Sequence, residues 1–201
     1  MAEEKGLVIG VLALQGDFAA HQKMLARLGV ETILVRSPKE VAAVDALIIP
    51  GGESTTIGKL MRRFGLDEAI YQRVTEERMP LYGTCAGLIL MAKEIEGSDQ
   101  LRLGVLDVTV ARNAFGRQVE SFEANIALPE LGEPPVRGVF IRAPYVTKAA
   151  ESVQALGRFE EKIVAVRQGH LLGTAFHPEL TDDTRVHAFF AALARESRNR
   201  S

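Results

Sequence analysis

Cysteine is almost absent from this sequence: Cys85 is the only one in 201 residues. An internal disulfide is therefore excluded, and the composition fits a reducing interior in which the thiol stays available. No Cys or His cluster has the spacing of a zinc site, so no metal is expected. Long runs of like charge are missing too. With 24 basic and 26 acidic residues the formal charge is −2, which argues against nucleic acid and anionic membranes as partners. The longest apolar stretches, around residues 7–14 and 81–92, are too short to span a bilayer. The acidic start Met1-Ala2-Glu3-Glu4-Lys5 lacks the basic region of a secretory signal. There is no internal repeat, no low-complexity segment and no linker long enough to divide the chain. These absences predict a soluble, cytoplasmic protein with a single domain over residues 1–201.

What the chain does have is an alternating apolar pattern within a hydrophobic content of 47%, enough for a full core. Residues 7–14 form a continuous apolar run of strand length, as in a sheet covered on both faces. Residues 17–28 follow as a helix, with Phe18, Met24, Leu25 and Leu28 on one face and Gly29 as the stop signal. Strands are predicted at 32–35 and 46–49, then the loop Pro50-Gly51-Gly52-Glu53-Ser54, two helical segments up to Pro80, and the strand Leu81-Tyr82. Beyond Gly104 the rhythm changes: 105–110, 119–128, 136–141, 163–166 and 171–176 read as strands with no long helix among them. Residues 183–195 close the chain as an amphipathic helix bearing Val186, Phe189, Phe190 and Leu193. The pattern predicts an α/β fold of three layers: a mainly parallel open sheet, helices on both faces, and an antiparallel extension in the second half.

The lone cysteine lies in Gly83-Thr84-Cys85-Ala86-Gly87, between the strand at Leu81 and a helix-like segment. A free cysteine is more often a small buried hydrophobe. Here, however, the G-x-C-x-G spacing is the thiol counterpart of a nucleophile elbow, a tight strand-to-helix turn that lifts one side chain into a cleft. Downstream lies His177-Pro178-Glu179. On an extended backbone, residues i and i+2 face the same way, about 6.5 Å apart, so the carboxylate can orient the imidazole toward the thiol. Together these residues read as a Cys-His-Glu nucleophilic set, with His177 as base and Glu179 as its orienter. The Gly51-Gly52 backbone, with the Ala86 N–H, can form an oxyanion hole. His21 and His187 read as solvated or peripheral and His170 as a turn residue, none of them with an acid in the orienter spacing.

Finer segments carry a resemblance. Leu14-Gln15-Gly16, Pro50-Gly51-Gly52-Glu53-Ser54-Thr55-Thr56, Gly83-Thr84-Cys85-Ala86-Gly87-Leu88, Arg112-Asn113 with Phe115-Gly116-Arg117-Gln118, Phe140-Ile141-Arg142-Ala143-Pro144 and Phe176-His177-Pro178-Glu179-Leu180-Thr181 are similar to the class I, triad-type glutamine amidotransferases. Within that group they resemble the glutaminase subunits of pyridoxal 5′-phosphate synthase. The resemblance implies hydrolysis of L-glutamine by Cys85, His177 and Glu179 and delivery of ammonia to a separate synthase subunit. It further implies a glutamine pocket lined by Gly52, Glu53, Ser54, Arg112, Ile141 and Arg142. The vitamin would be the product of the complex, and no cofactor is implied for this chain. Competing readings are a glutaminase of another pathway, a non-catalytic binding partner, and a cysteine peptidase on a related fold.

Overall fold

The computed structural model describes residues 6–112 and 121–199. In chain order it begins with β1 (Val8–Leu12), α1 (Phe18–Arg27), β2 (Glu31–Val35), α2 (Pro38–Ala42), β3 (Ala46–Ile49), α3 (Ser54–Arg63) and α4 (Leu66–Thr75). The β4 strand (Leu81–Thr84), α5 (Ala86–Met91) and β5 (Ala92–Ile95) complete the first half. The second half is largely strand: β6 (Leu106–Ala111), β7 (Ser121–Ile126), β8 (Val136–Ile141), β9 (Tyr145–Ala149), β10 (Gln154–Phe159), β11 (Lys162–Gln168) and β12 (Leu171–Thr174). The last element is α6 (Arg185–Arg198). No helix of the described residues is long and apolar enough to cross a membrane.

The main sheet runs β2-β1-β3-β4-β12-β11-β9-β6-β5, with β10 also paired to β11. Its first five strands are mutually parallel. From β12 onward the ladders β12/β11, β11/β9 and β9/β6 are antiparallel, and β7 pairs with β8 as a separate antiparallel ribbon. The parallel core with an antiparallel extension is thus the observed architecture. Burial explains the sequence pattern. Every residue of β1, β3, β4 and β12 is buried, as expected of strands covered on both faces. In β6 and β8 buried positions alternate with less buried ones, which marks a sheet with one face toward the core.

Several elements differ from the sequence expectation. The strand expected at 171–176 ends at Thr174; the Ala175 N–H still donates to the Val164 carbonyl of β11 at 2.8 Å, and the His177 N–H then donates to the Val139 carbonyl of β8 at 2.8 Å. The short helix α2 and the strands β5, β9 and β10 were not legible. The β9 strand buries only Val146, and β10 contains Gly157 and shifts register around it, so neither presents a clean period of two. The strand expected to start at Val119 begins outside the described residues; its described part is β7.

The elbow between β4 and α5 explains the two motif glycines by close approach. A Cβ on Gly87 would overlap the Ile49 carbonyl of β3, and one on Gly83 would overlap the Gly87 carbonyl. Both obstacles are backbone, which cannot rotate aside. Gly87→Ala is therefore expected to destabilise the protein by about 3 kcal/mol or more, the upper end for overpacking, read as a lowered denaturant midpoint at unchanged slope.

Candidate active site

Because β1, β3, β4 and β12 are parallel, their carboxyl ends open on one edge of the sheet, where open α/β folds place their sites. The segments following them supply Gln15, Gly51, Cys85 and His177 to one cavity of about 360 Å³. The same cavity is lined by Gly52, Glu53, Ser54, Arg112, Ile141 and Arg142. Ala86 and Glu179 lie behind the wall, both buried.

Cys85 sits at φ 48, ψ −100, a left-handed region that a non-glycine residue occupies only under constraint. The constraint is visible: its N–H donates to the Thr174 carbonyl at 2.8 Å, fastening the elbow to β12. The thiol is 7% exposed and its Sγ lies 3.8 Å from the Ile141 carbonyl oxygen. Ala86, the next residue, is the first of α5.

His177 Nδ1 is 2.7 Å from Glu179 Oε1. The pair forms as expected, but not on extended backbone. Pro178, Glu179 and Leu180 make a 3-10 turn with Pro178 at its start, a position where proline's missing N–H is harmless. Burial pushes the His177 ring down, yet the facing Cys85 and the Glu179 carboxylate outweigh it and raise the ring to about 10. Burial likewise opposes charge on Glu179, but the His21 ring and the hydrogen bond from His177 hold its carboxyl well below the usual range.

The involvement of His21 overturns its expected peripheral place. His21 and His187 are both fully buried, with His21 Nδ1 2.9 Å from His187 Nε2 and His21 Nε2 3.4 Å from Glu179 Oε1. Burial, and then the His21 ring, push His187 down to about 3, so it is neutral. The sequence held a signal for this: His21 stands three residues after Phe18 and four before Leu25, on the apolar face of α1. His170 does occupy a turn, between β11 and β12, 3.1 Å from the Val74 carbonyl, and does not line the cavity.

The Gly51-Gly52 loop packs directly on the His177 ring. A Cβ on Gly51 would strike the His177 ring, and Gly52 stands at φ 152. Gln15 fixes the next peptide, its Oε1 accepting from the Glu53 N–H at 2.8 Å. The Glu53 carboxylate caps α3, accepting from the N–H groups of Thr55 and Thr56 at 3.0 and 2.7 Å. Hydrogen bonding from Thr56 first among these donors lowers it to about 2. Arg112 Nη1 donates to Gln100 Oε1 at 2.6 Å, and the Ser54 and Thr55 hydroxyls donate to the same oxygen at 3.3 Å. Gln15 and Gln100 were not among the expected site residues; Gln15 stood in the Leu14-Gln15-Gly16 segment without an assigned role, and Gln100 has no local pattern around it. Arg142, at φ 43, is held in the left-handed region at the cavity rim. Asn113 and the segment Phe115-Gly116-Arg117-Gln118 lie outside the described residues.

A thiol, an imidazole paired with a buried carboxylate and a glycine loop at one cavity are the parts that acyl transfer through a covalent thioester needs. Residues 11–195 match the SNO glutamine amidotransferase family. A Carboxydothermus hydrogenoformans protein named pyridoxal 5′-phosphate synthase subunit PdxT is 56% identical over 182 residues, covering 90% of this chain and 95% of the relative. A Thermus thermophilus protein of the same name is 55% identical, covering 93% and 97%. A solved structure described as a glutamine amidotransferase superposes with a TM-score of 0.89 at 52% identity, covering 93% of this chain and 98% of that one. The structure of PurLQS from Thermotoga maritima, at 15% identity and a TM-score of 0.67 over 98% of this chain and 99% of that one, shares the fold. The chain belongs to the SNO glutamine amidotransferase family.

Proposed function

We propose that this chain is the glutaminase subunit of pyridoxal 5′-phosphate synthase. It hydrolyses L-glutamine to L-glutamate and ammonia for a separate synthase subunit that makes pyridoxal 5′-phosphate, in vitamin B6 biosynthesis. Residues 1–201 act as one glutamine amidotransferase domain, in the cytoplasm. Relatives more than half identical over nine-tenths of the chain support the assignment. The observation that carries the chemistry is that Cys85 and His177 line one cavity, with His177 Nδ1 engaged by the buried Glu179 at 2.7 Å so that Nε2 is left for the thiol.

In this reading His177 holds the proton taken from Cys85, and the Cys85 sulfur adds to the side-chain amide carbon of glutamine. Backbone N–H groups of Gly51, Gly52 and Ala86 receive the developing oxyanion. As the C–N bond breaks, His177 passes its proton to the departing nitrogen and ammonia leaves a glutamyl thioester. Water then adds with His177 as base, the C–S bond breaks, the sulfur recovers a proton, and glutamate is released. Arg112, steadied by Gln100, and Arg142 at the rim suit the substrate α-carboxylate, because a guanidinium fork matches that group. Gly52, Glu53, Ser54 and Ile141 complete the pocket wall.

The decisive experiment measures glutamate release by the chain mixed with its synthase partner. Cys85→Ala is expected to abolish both turnover and the covalent glutamyl adduct; wild-type turnover in that variant would remove Cys85 as nucleophile. His177→Asn should lower kcat by about two to four orders of magnitude and Glu179→Gln by less, since the carboxylate orients the base without moving the proton itself. Equal and small losses would contradict the assignment.

The pH profile follows from His177. Its ring must carry a proton to expel ammonia, and its neighbours raise it to about 10. Turnover should hold through neutral pH and fall as pH rises toward that value. In Glu179→Gln one of the two groups that raise the ring is gone while Cys85 remains, so the basic limb should move to lower pH.

Docking of the synthase is expected to set the Gly51-Gly52 loop for oxyanion binding, as adjacent glycines allow a peptide to reorient. The chain alone should hydrolyse glutamine slowly and gain about two to three orders of magnitude with synthase present. Equal activity of the free chain and the complex would mean that the loop is already set.

A further inference from the structure

Three of the four histidines are linked to Glu179, His177 and His21 directly and His187 through His21, and the mechanism uses only one of them. We propose that His21 is a positioning residue of the glutaminase site, holding the Glu179 carboxylate from the side opposite the cavity while His187 fixes the form in which His21 does so. The inference rests on the glutaminase reading given above.

The geometry carries it. Glu179 Oε1 has two nitrogen neighbours, His177 Nδ1 at 2.7 Å and His21 Nε2 at 3.4 Å, and Oε2 has no partner among the described residues. The side chains of His21 and Glu179 are both wholly shut off from solvent. A buried carboxylate held by one donor alone is free to swing about it, whereas a second donor on the far side fixes its direction. His21 Nε2 is also 3.2 Å from Thr84 Oγ1. Thr84 is the last residue of β4, directly before Cys85, so His21 ties the strand end that bears the nucleophile to the turn that bears the orienter.

The proton pattern is consistent along this chain of groups. His187, being neutral, can place its one N–H on Nε2 and donate to His21 Nδ1 across 2.9 Å. His21 then carries its own proton on Nε2, facing Thr84 and Glu179. His187 Nδ1 is left without a partner among the described residues, as a bare nitrogen and not as a stranded N–H. The Tyr82 ring closes the box, its centroid 6.3 Å from that of His21 and edge-on to it. His21 is not among the residues that line the cavity, so its action passes through Glu179.

Two substitutions separate this role from simple core filling, because each amide reproduces a different ring nitrogen. The terminal N–H of glutamine reaches the place of Nε2, toward Glu179. That of asparagine reaches only the place of Nδ1, toward His187. With the chain and its synthase mixed, His21→Asn should lower kcat for glutamine about tenfold to a hundredfold, the range of a hydrogen bond to a charged group, with KM changed less than about threefold by the same reasoning that the cavity is untouched. His21→Gln should retain most of the wild-type kcat. The downfield proton resonance of the His177–Glu179 hydrogen bond, read by NMR on the free chain, should persist in His21→Gln and broaden or shift in His21→Asn. If His21→Asn does not fold, His21→Leu, which keeps the apolar volume, takes its place. Equal kcat and equal spectra for the two variants, or a more active His21→Asn, would overturn the proposal. Wild-type and Cys85→Ala proteins run alongside test the glutaminase reading separately, and the NMR signature does not depend on turnover.

Discussion

Glu179 keeps its charge although its side chain has no exposed surface, and that requirement organises the elements around it. Moving a carboxylate out of water costs on the order of several kcal/mol even after the protein relaxes, unless it is paired and hydrogen-bonded. Here the partners come from three separate parts of the chain: His177 from the same turn, His21 from α1, and behind it His187 from α6. The same buried charge adds to the effect of burial in raising the Tyr82 phenol far above its ordinary range, so that ring stays neutral beside it. The return is an imidazole whose direction and proton are both set by a group that solvent cannot reach.

The thiol is positioned by a different device, close backbone contact. Gly87 brings α5 against the Ile49 carbonyl, Gly83 lets the turn fold back on itself, and the Cys85 N–H is held by Thr174. These contacts impose a backbone conformation that Cys85 would not adopt alone. Gly51, after the neighbouring strand β3, is bare for the same reason: a side chain there would occupy the space of the His177 ring. Strand, loop and base are thus fitted to each other through absent Cβ atoms.

The antiparallel half of the protein finishes the site. The β8 strand supplies the Val139 carbonyl that receives the His177 N–H, and the Ile141 carbonyl beside the Cys85 sulfur. It is held in place by Phe140, whose ring packs 5.5 Å from Phe176, the residue before His177, and stacks on Phe122 of β7 at 4.6 Å. The end of β8 reaches the cavity through Ile141, and Arg142, also in its lining, follows directly.

The sequence by itself determined the features that depend on near neighbours. Uninterrupted apolar runs marked β1, β3 and β4 because a strand covered on both faces has no position to leave polar. The spacing of Gly83, Cys85 and Gly87 marked the elbow, and His177 with Glu179 marked an imidazole–carboxylate pair, which the structure joins at 2.7 Å. Strands with mixed faces, such as β9 and β10, left no clear period and stayed hidden. The backbone under Glu179 was also misjudged, since two residues of separation fit a 3-10 turn as well as a strand. Only the tertiary structure decided that His21 and His187, 166 residues apart, should meet behind Glu179, and that Gln15 and Gln100 should brace the loop and Arg112. Local pattern records which face of an element is buried. It does not record which other element lies against that face, because the partner is chosen by the packing of the whole sheet and its helices.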